Sequence, residues 1–335
     1  MGQLDCKPCS KATCRPVKTT VPLLMLLGLL AVSVVSFAQQ IPDPDFDVTI
    51  KTKTYPKDRP RVVIDEAHHN FHTAGDRYKP LAQLLANDGY DVQPGTEKFQ
   101  PQTLREVRVL IVANAQGEGA TEETSPPAFT DAECDIVRDW VSGGGSLLLI
   151  ADHAPFGVAA AELSKQFGIS MGKGIAFDPV NSEKAPTILV FSAAKGQLGA
   201  HPIIQGRTAQ ERIKRIVTFG GQSLSVRGGA AALLKLDSTA YESENRAELE
   251  LALASVRAQG NAPLRMTHAT PAAGRAQAAA LTFGKGRVVI LAEAAMLSAQ
   301  ILKQPEGDVK FGMNTAGNDD RQFALNILHW LSAAL

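Results

Sequence analysis

The feature that most constrains this chain is a unit that recurs along it: a short β-branched or leucine-rich run, a stretch with apolar residues at helical spacing, and a glycine stop. It is clearest in FTDAECDIVRDWVSGGGSLLLIAD. Thr130, with Glu133 three residues on, reads as a capping box. Cys134, Val137, Trp140 and Val141 form an apolar stripe at helical spacing. Glycines end the helix, and SLLLI is the strand that follows. RVVID, YKPLAQLLANDGYDV, REVRVLIVANA and GVAAAELSKQFG repeat the theme. Buried strands joined by helices predict an α/β fold with a mainly parallel sheet. TILVF, RIVTF and AALLKL read as further strands, and residues 241–275 as a helical or loose surface excursion. AQAAALTFGKGRVVILAEAA predicts a hairpin about Gly284-Lys285-Gly286. In DDRQFALNILHWLSAAL, Phe323, Ile327, Leu328 and Leu331 share one face of a closing helix that packs on the sheet.

With 335 residues, 44% of them hydrophobic, the chain can bury one large core or two modest ones. Its 34 basic residues balance 34 acidic ones. That leaves no basic stripe for nucleic acid, and the sparse aromatics leave no stacking platform for single strands.

Before the first strand the pattern is that of an export signal. Lys7, Lys11, Arg15 and Lys18 precede the uncharged run VPLLMLLGLLAVSVVSFA, which ends with Ser36 and Ala38 at the two positions a signal peptidase reads. Residues 1–38 are read as a cleaved signal peptide. The alternative is a membrane anchor over residues 21–38, because the run approaches the ~20 residues a bilayer crossing needs. Cys6, Cys9 and Cys14 fall in this segment, without a second ligand pair for a metal knuckle. After cleavage the net charge is −3 and Cys134 is the one cysteine left, so the domain has no internal disulfide and rests on its core. Residues 39–59, rich in proline and charge, read as a linker, and residues 60–335 as the domain.

In a parallel α/β sheet, ligands bind outside the carboxyl ends of the strands. VVIDEAHHNFHT places Asp65, Glu66, His68, His69 and Asn70 after one strand; the others are followed by Asn114, by Asp152 and His153, by Gln222 and Ser223, and by Glu293. Asp65, Glu66, His68, Asp152, His153 and Glu293 are the candidate acid, base or catalytic groups. His69, Asn70, Asn114, Gln222 and Ser223 are candidate ligand contacts. No cofactor is expected; a divalent metal on His68, His72 and Asp152 is the alternative, since His68 and His72 have a zinc-ligand spacing if helical, although H-E-x-x-H is absent. Each residue also has a plainer role open to it. Asp65 can cap its own turn, Glu293 can pair with a cation, and Asp152-His153 can belong to a turn set by Pro155 and Gly157. SGGGS and GKGR lack phosphate-loop spacing, and GGQSLS is not a nucleophile elbow.

VVIDEAHHNFHT, FTDAECDIVRDWVSGGGSLLLIADHAPFG and GKGRVVILAEAAMLSAQ, with NDDRQFALNILHWLS, resemble an uncharacterised bacterial domain family of the class I glutamine-amidotransferase-like superfamily. Relatives of that family include trehalose-utilisation-like and gliding-motility-auxiliary-like proteins. The resemblance runs from about residue 60 to the C-terminus and implies a flavodoxin-like three-layer sandwich with its cleft at the strand ends. Active amidotransferases carry a cysteine at the turn that reads Ala151-Asp152-His153 here. Cys134 lies on the preceding helix, so the resemblance implies the cleft without the glutaminase reaction.

The expected function is an exported envelope protein that binds a small polar, saccharide-like ligand, with no nucleic acid partner and membrane contact only through an uncleaved N-terminal segment. A hydrolase using the same residues, or a metal there, is the alternative, and a partner domain without a cleft is a third reading. Cleavage predicts a mature chain that begins at Gln39. The intact mass of exported protein checks this; a membrane-bound product that keeps residues 1–38 would show the anchor instead.

Overall fold

A computed structural model describes residues 40–121, 124–259, 266–305 and 307–335. The expected signal or anchor segment, residues 1–38, lies outside the described residues. Among the described residues, no helix is long and apolar enough to cross a membrane.

Nine strands form the central sheet: β1 Arg61–Asp65, β2 Asp91–Gly95, β3 Val109–Ala113, β4 Ser146–Ile150, β5 Ile169–Met171, β6 Leu224–Val226, β7 Ala231–Lys235, β8 Ala276–Phe283 and β9 Gly286–Leu291. Their spatial order is β2-β1-β3-β4-β9-β8-β6-β5, with β7 also paired to β8. The first five run parallel. From β8 onward every pairing is antiparallel. The sheet is therefore mixed, and the expected parallel arrangement covers its first five strands. The change of direction has a local cause. Phe283 pairs with Gly286, so only Gly284 and Lys285 join β8 to β9. A two-residue loop links only antiparallel neighbours, and Gly284 supplies its left-handed residue at φ +57°.

The helices are α1 Lys79–Asn87, α2 Asp131–Ser142, α3 Phe156–Lys165, α4 Arg246–Gln259 and α5 Asp320–Leu331. One face of the sheet, carrying Ile64, Ile111, Ile150 and Leu291, packs with residues of α1 and α5. The other, carrying Leu110, Val112, Leu149 and Ile290, packs with residues of α2 and α3. The predicted capping box of α2 is present: the Glu133 N–H donates to Thr130 Oγ1 at 3.2 Å, and the Thr130 N–H to Glu133 Oε2 at 3.0 Å. The closing helix and the hairpin fall where the sequence pattern places them.

Other expectations shift. RIVTF, Arg215–Phe219, stands outside the central sheet and pairs antiparallel with Ala185–Ser192. Residues 241–275 contain a strand, Tyr241–Ser243, as well as α4. The segment read as a linker is extended but docked. Gln40–Pro42 pairs with Ala299–Leu302, and Phe46, Val48, Ile50 and Tyr55 pack against the core. The connection from β2 to β3 is built of turns rather than a helix; its Phe99, Leu104 and Val107 pack on the sheet face beside α2, and a cleft remains there.

Cys134 sits on the inner side of α2 with Val137 and Val141. Burial, with the nearby charges of Asp131 and Glu133, pushes its thiol up to about 11. Cys134→Ala should cost about 1–2 kcal/mol of stability, as for trimming a small core side chain. The native thiol should resist iodoacetamide until the protein unfolds; fast labelling of folded protein would contradict this packing.

Candidate functional site

Strand register sorts the candidate residues into two groups. Leu291 pairs with Ile150 on the neighbouring strand, so two residues further on Glu293 stands level with Asp152, on the α1/α5 face. Ile64 pairs with Ile111, so Asp65 stands level with Val112, lower on the sheet and on the α2 face. Side chains alternate along a strand, so an odd offset places a residue on the opposite face. The expectation of one shared cleft for Asp65, Asp152 and Glu293 is thereby corrected.

At the strand ends, Asn114 and Asp152 bond reciprocally. Asn114 Nδ2 donates to Asp152 Oδ2 at 2.9 Å, and the Asp152 N–H donates to Asn114 Oδ1 at 2.9 Å. Asp152 Oδ1 accepts from the Ala294 N–H at 3.1 Å. Glu293, fully buried, accepts from the N–H groups of Ala295 and Met296 at 2.7 and 2.8 Å. Gln222 Nε2 donates to the carbonyls of Ala151 and Asp152, which pins the turn after β4. RIVTF thus delivers Gln222 to this place from outside the central sheet.

Burial raises the Asp152 carboxyl, offset in part by His153 and Asn114. Burial and the charge of Asp152 raise Glu293 well above the usual carboxylate range. Burial and Arg77 lower the His72 ring to about 3, so it is neutral, and its Nδ1 lies 3.3 Å from Asn114 Nδ2 as an acceptor. His153 donates from Nδ1 to the carbonyl of Ala154. The cluster is a set of hydrogen-bonded polar groups with raised carboxyls, half-exposed at Asp152 and His153.

On the α2 face, Asp65, His68 and Glu133 form a buried line. His68 Nδ1 lies 2.9 Å from both Asp65 oxygens, and Nε2 lies 3.0 Å from Glu133 Oε1. The ring is flanked by Phe99 and Phe129, with centroids 4.4 and 4.7 Å away. Burial works to raise the Glu133 carboxyl, but hydrogen bonds from Thr130 and His68 outweigh it and hold it below the usual range. Asp65 also lines a cleft of about 700 Å³ under the β2–β3 connection, with Val63, Phe99 and Leu104 as its apolar part and Gln93, Thr96, Gln102, Thr103 and Arg105 as its polar part.

The remaining candidates lie elsewhere. Ser223 donates to Glu242 Oε2 at 2.6 Å and accepts from Arg275, in a network separate from Gln222. Glu66 accepts from the Ala74 N–H. Asn70 Oδ1 accepts from the His68 N–H, and His69 is exposed at φ +48°. His68, with both ring nitrogens on carboxylates, is not brought together with His72 and Asp152 as a metal set. Among the described residues, no group of three or more His, Cys, Asp or Glu side chains is placed to hold a metal ion. Glu133 was legible as a capping residue, not as a partner of His68. The cleft's polar wall carried only a negative signal, since residues 96–107 lack helical periodicity around Pro101.

No protein-family model matches the sequence, and a comparison with curated proteins gives no match. Among solved structures, the mmIFT52 N-terminal domain is similar at a TM-score of 0.53 and 15% identity, over 81% of this chain and 97% of that one. A ThuA-like protein from Bacteroides uniformis gives a TM-score of 0.41 at 14% identity, over 86% and 95%. A β-galactosidase from Rahnella sp. R3 gives 0.38 at 11%, over 82% of this chain and 32% of that chain. At such identities the first likeness is one of fold alone.

Buried carboxyls predict a pH effect on stability. Asp320, buried at the start of α5, accepts from the Val217 N–H and from Asn318 Nδ2. Burial raises its carboxyl well above the usual range; the Val217 bond offsets part of this and Glu293 adds to it. A carboxyl raised on folding costs stability as pH climbs from the ordinary carboxylate range through the folded value. Lowered groups such as Glu133 have already delivered their gain at the start of that window. Asp320→Asn, with Asn318 turning its amide oxygen toward the new NH₂, should therefore flatten the loss. Urea midpoints at about pH 5.5 and 8 check this; an unchanged difference between them would sink it.

Proposed function

We propose that the chain binds a small polar, saccharide-like ligand in the cleft between β1, β2 and the 96–107 connection, and that it does so as an exported protein. The observation that carries this is the cleft itself. Its volume of about 700 Å³ is that of a small-molecule site, and amide, hydroxyl and guanidinium groups stand over an apolar floor that reaches the Asp65 carboxylate. A sugar presents hydroxyls that both donate and accept, around C–H faces that pack on apolar carbon, and this lining meets both. Membership of the class I glutamine-amidotransferase-like superfamily, with a flavodoxin-like core, is part of the reading. The turn Ala151-Asp152-His153 and the buried Cys134 supply no thiolate, which supports binding without glutaminase chemistry.

A second reading is hydrolysis at Asp152, favoured by a partly exposed carboxyl that burial raises, the direction that suits a general acid. It sits on the opposite face of the sheet, so the two readings separate by mutation. Calorimetric titration against a panel of neutral and acidic oligosaccharides should yield a ligand. Gln102→Ala and Arg105→Ala, both at exposed positions, should each weaken it roughly fivefold to tenfold, the loss of one polar contact. Asp152→Asn should leave that affinity unchanged. Affinity untouched by both cleft variants, or saccharide turnover abolished by Asp152→Asn, would favour the second reading.

A further inference from the structure

We infer that His68 is the positioning residue of this cleft and that it stands there as an imidazolium, donating from both ring nitrogens; the positioning role rests on the cleft reading, the ring's charge on geometry alone. A neutral imidazole has one N–H and one lone pair. Here both nitrogens face carboxylate oxygens at 2.9–3.0 Å, and the ring, Asp65 and Glu133 are buried. A bare nitrogen at either end would set its lone pair against a carboxylate in a site of low dielectric, a costly unmade bond.

The line therefore needs one proton more than a neutral histidine between two carboxylates provides. The surroundings favour the ring as its place. Asp65 Oδ1 also accepts from the Ala67 N–H, and Glu133 Oε2 accepts from the Thr130 N–H and hydroxyl, so each carboxylate is met by donors as an anion would be. The phenyl groups of Phe99 and Phe129 lie within the range at which an aromatic ring attracts a cation. The titratable groups that meet His68 are Asp65 from β1 and Glu133 from α2; its own loop contributes the neutral Asn70. Asp65 and Phe99 both line the cleft. One charged ring thus aims the carboxylate on the cleft floor, presses on an apolar wall, and ties both to the start of α2.

Nitrogen-15 NMR of the wild-type protein near neutral pH tests the charge without a ligand or a variant. Protons on both His68 nitrogens are the expected result, and one bare nitrogen overturns the assignment. His68→Gln, with one donor and one acceptor in place of two donors, tests the positioning role. Its affinity for the tightest saccharide of the panel should fall on the order of tenfold. Wild-type affinity should weaken as rising pH removes the ring proton, a step the glutamine variant lacks. Equal affinity and equal pH profiles would remove the positioning role; should the variant not fold, a wild-type profile without that step does the same. A panel that yields no ligand defeats the cleft reading, whereas the ring measurement fails or succeeds by itself.

Discussion

The register of the parallel strands β1, β3, β4 and β9 is the constraint on which the rest of the molecule depends. β3, β4 and β9 are buried on both faces and β1 on one with a cleft on the other, so each must place its side chains correctly for both sides at once. A slip of one residue would exchange the α1/α5 core for the α2/α3 core along the strand. The same register decides which polar residues meet beyond the strand ends. Glu293 meets Asp152 because their strands pair residue for residue, and Asp65, level with Leu149, lies three residues short of both, an odd offset that puts it on the other face.

The two buried polar groups answer the same electrostatic problem differently. A carboxylate removed from water must find a donor or give up its charge. Beside α2, Asp65 and Glu133 share an imidazole between them and keep hydrogen-bond partners on every side. Beside α1 and α5, Glu293 and Asp320 accept from backbone N–H groups, but burial outweighs these bonds and raises both carboxyls. The first arrangement couples loop, strand and helix through charge. The second is buried polar packing held by backbone donors at the α1/α5 face.

Much of the fold was legible because its signals are local. The capping box at Thr130, the stripe through Cys134, Val137 and Val141, and the Gly284-Lys285 turn each act within a few residues, and each appears where expected. The antiparallel extension from β8 to β5 was not legible, since short strands such as Leu224–Val226 take their direction from neighbours remote in sequence. The candidate site was half legible. Asn114, Asp152 and Glu293 follow parallel strands to one edge, Gln222 reaches it from a strand outside the central sheet, and the separation of Asp65 needed the strand registers, which no single segment states. Glu133 was seen in its local role only, because its second oxygen serves a residue 65 positions away.

The turns between β2 and β3 have a consequence for how such a protein can change. Residues 96–107 wall the cleft, yet they contribute no strand to the sheet and no helix to either core layer. Loops of this kind tolerate insertion and replacement far better than the elements they join. Their substitution would leave the registers of β1, β2 and β3 intact beneath them. The cleft's polar rim at Gln102, Thr103 and Arg105 is therefore free to vary, whereas Phe99 and Leu104 of the same segment are buried in the core, Phe99 against the His68 ring.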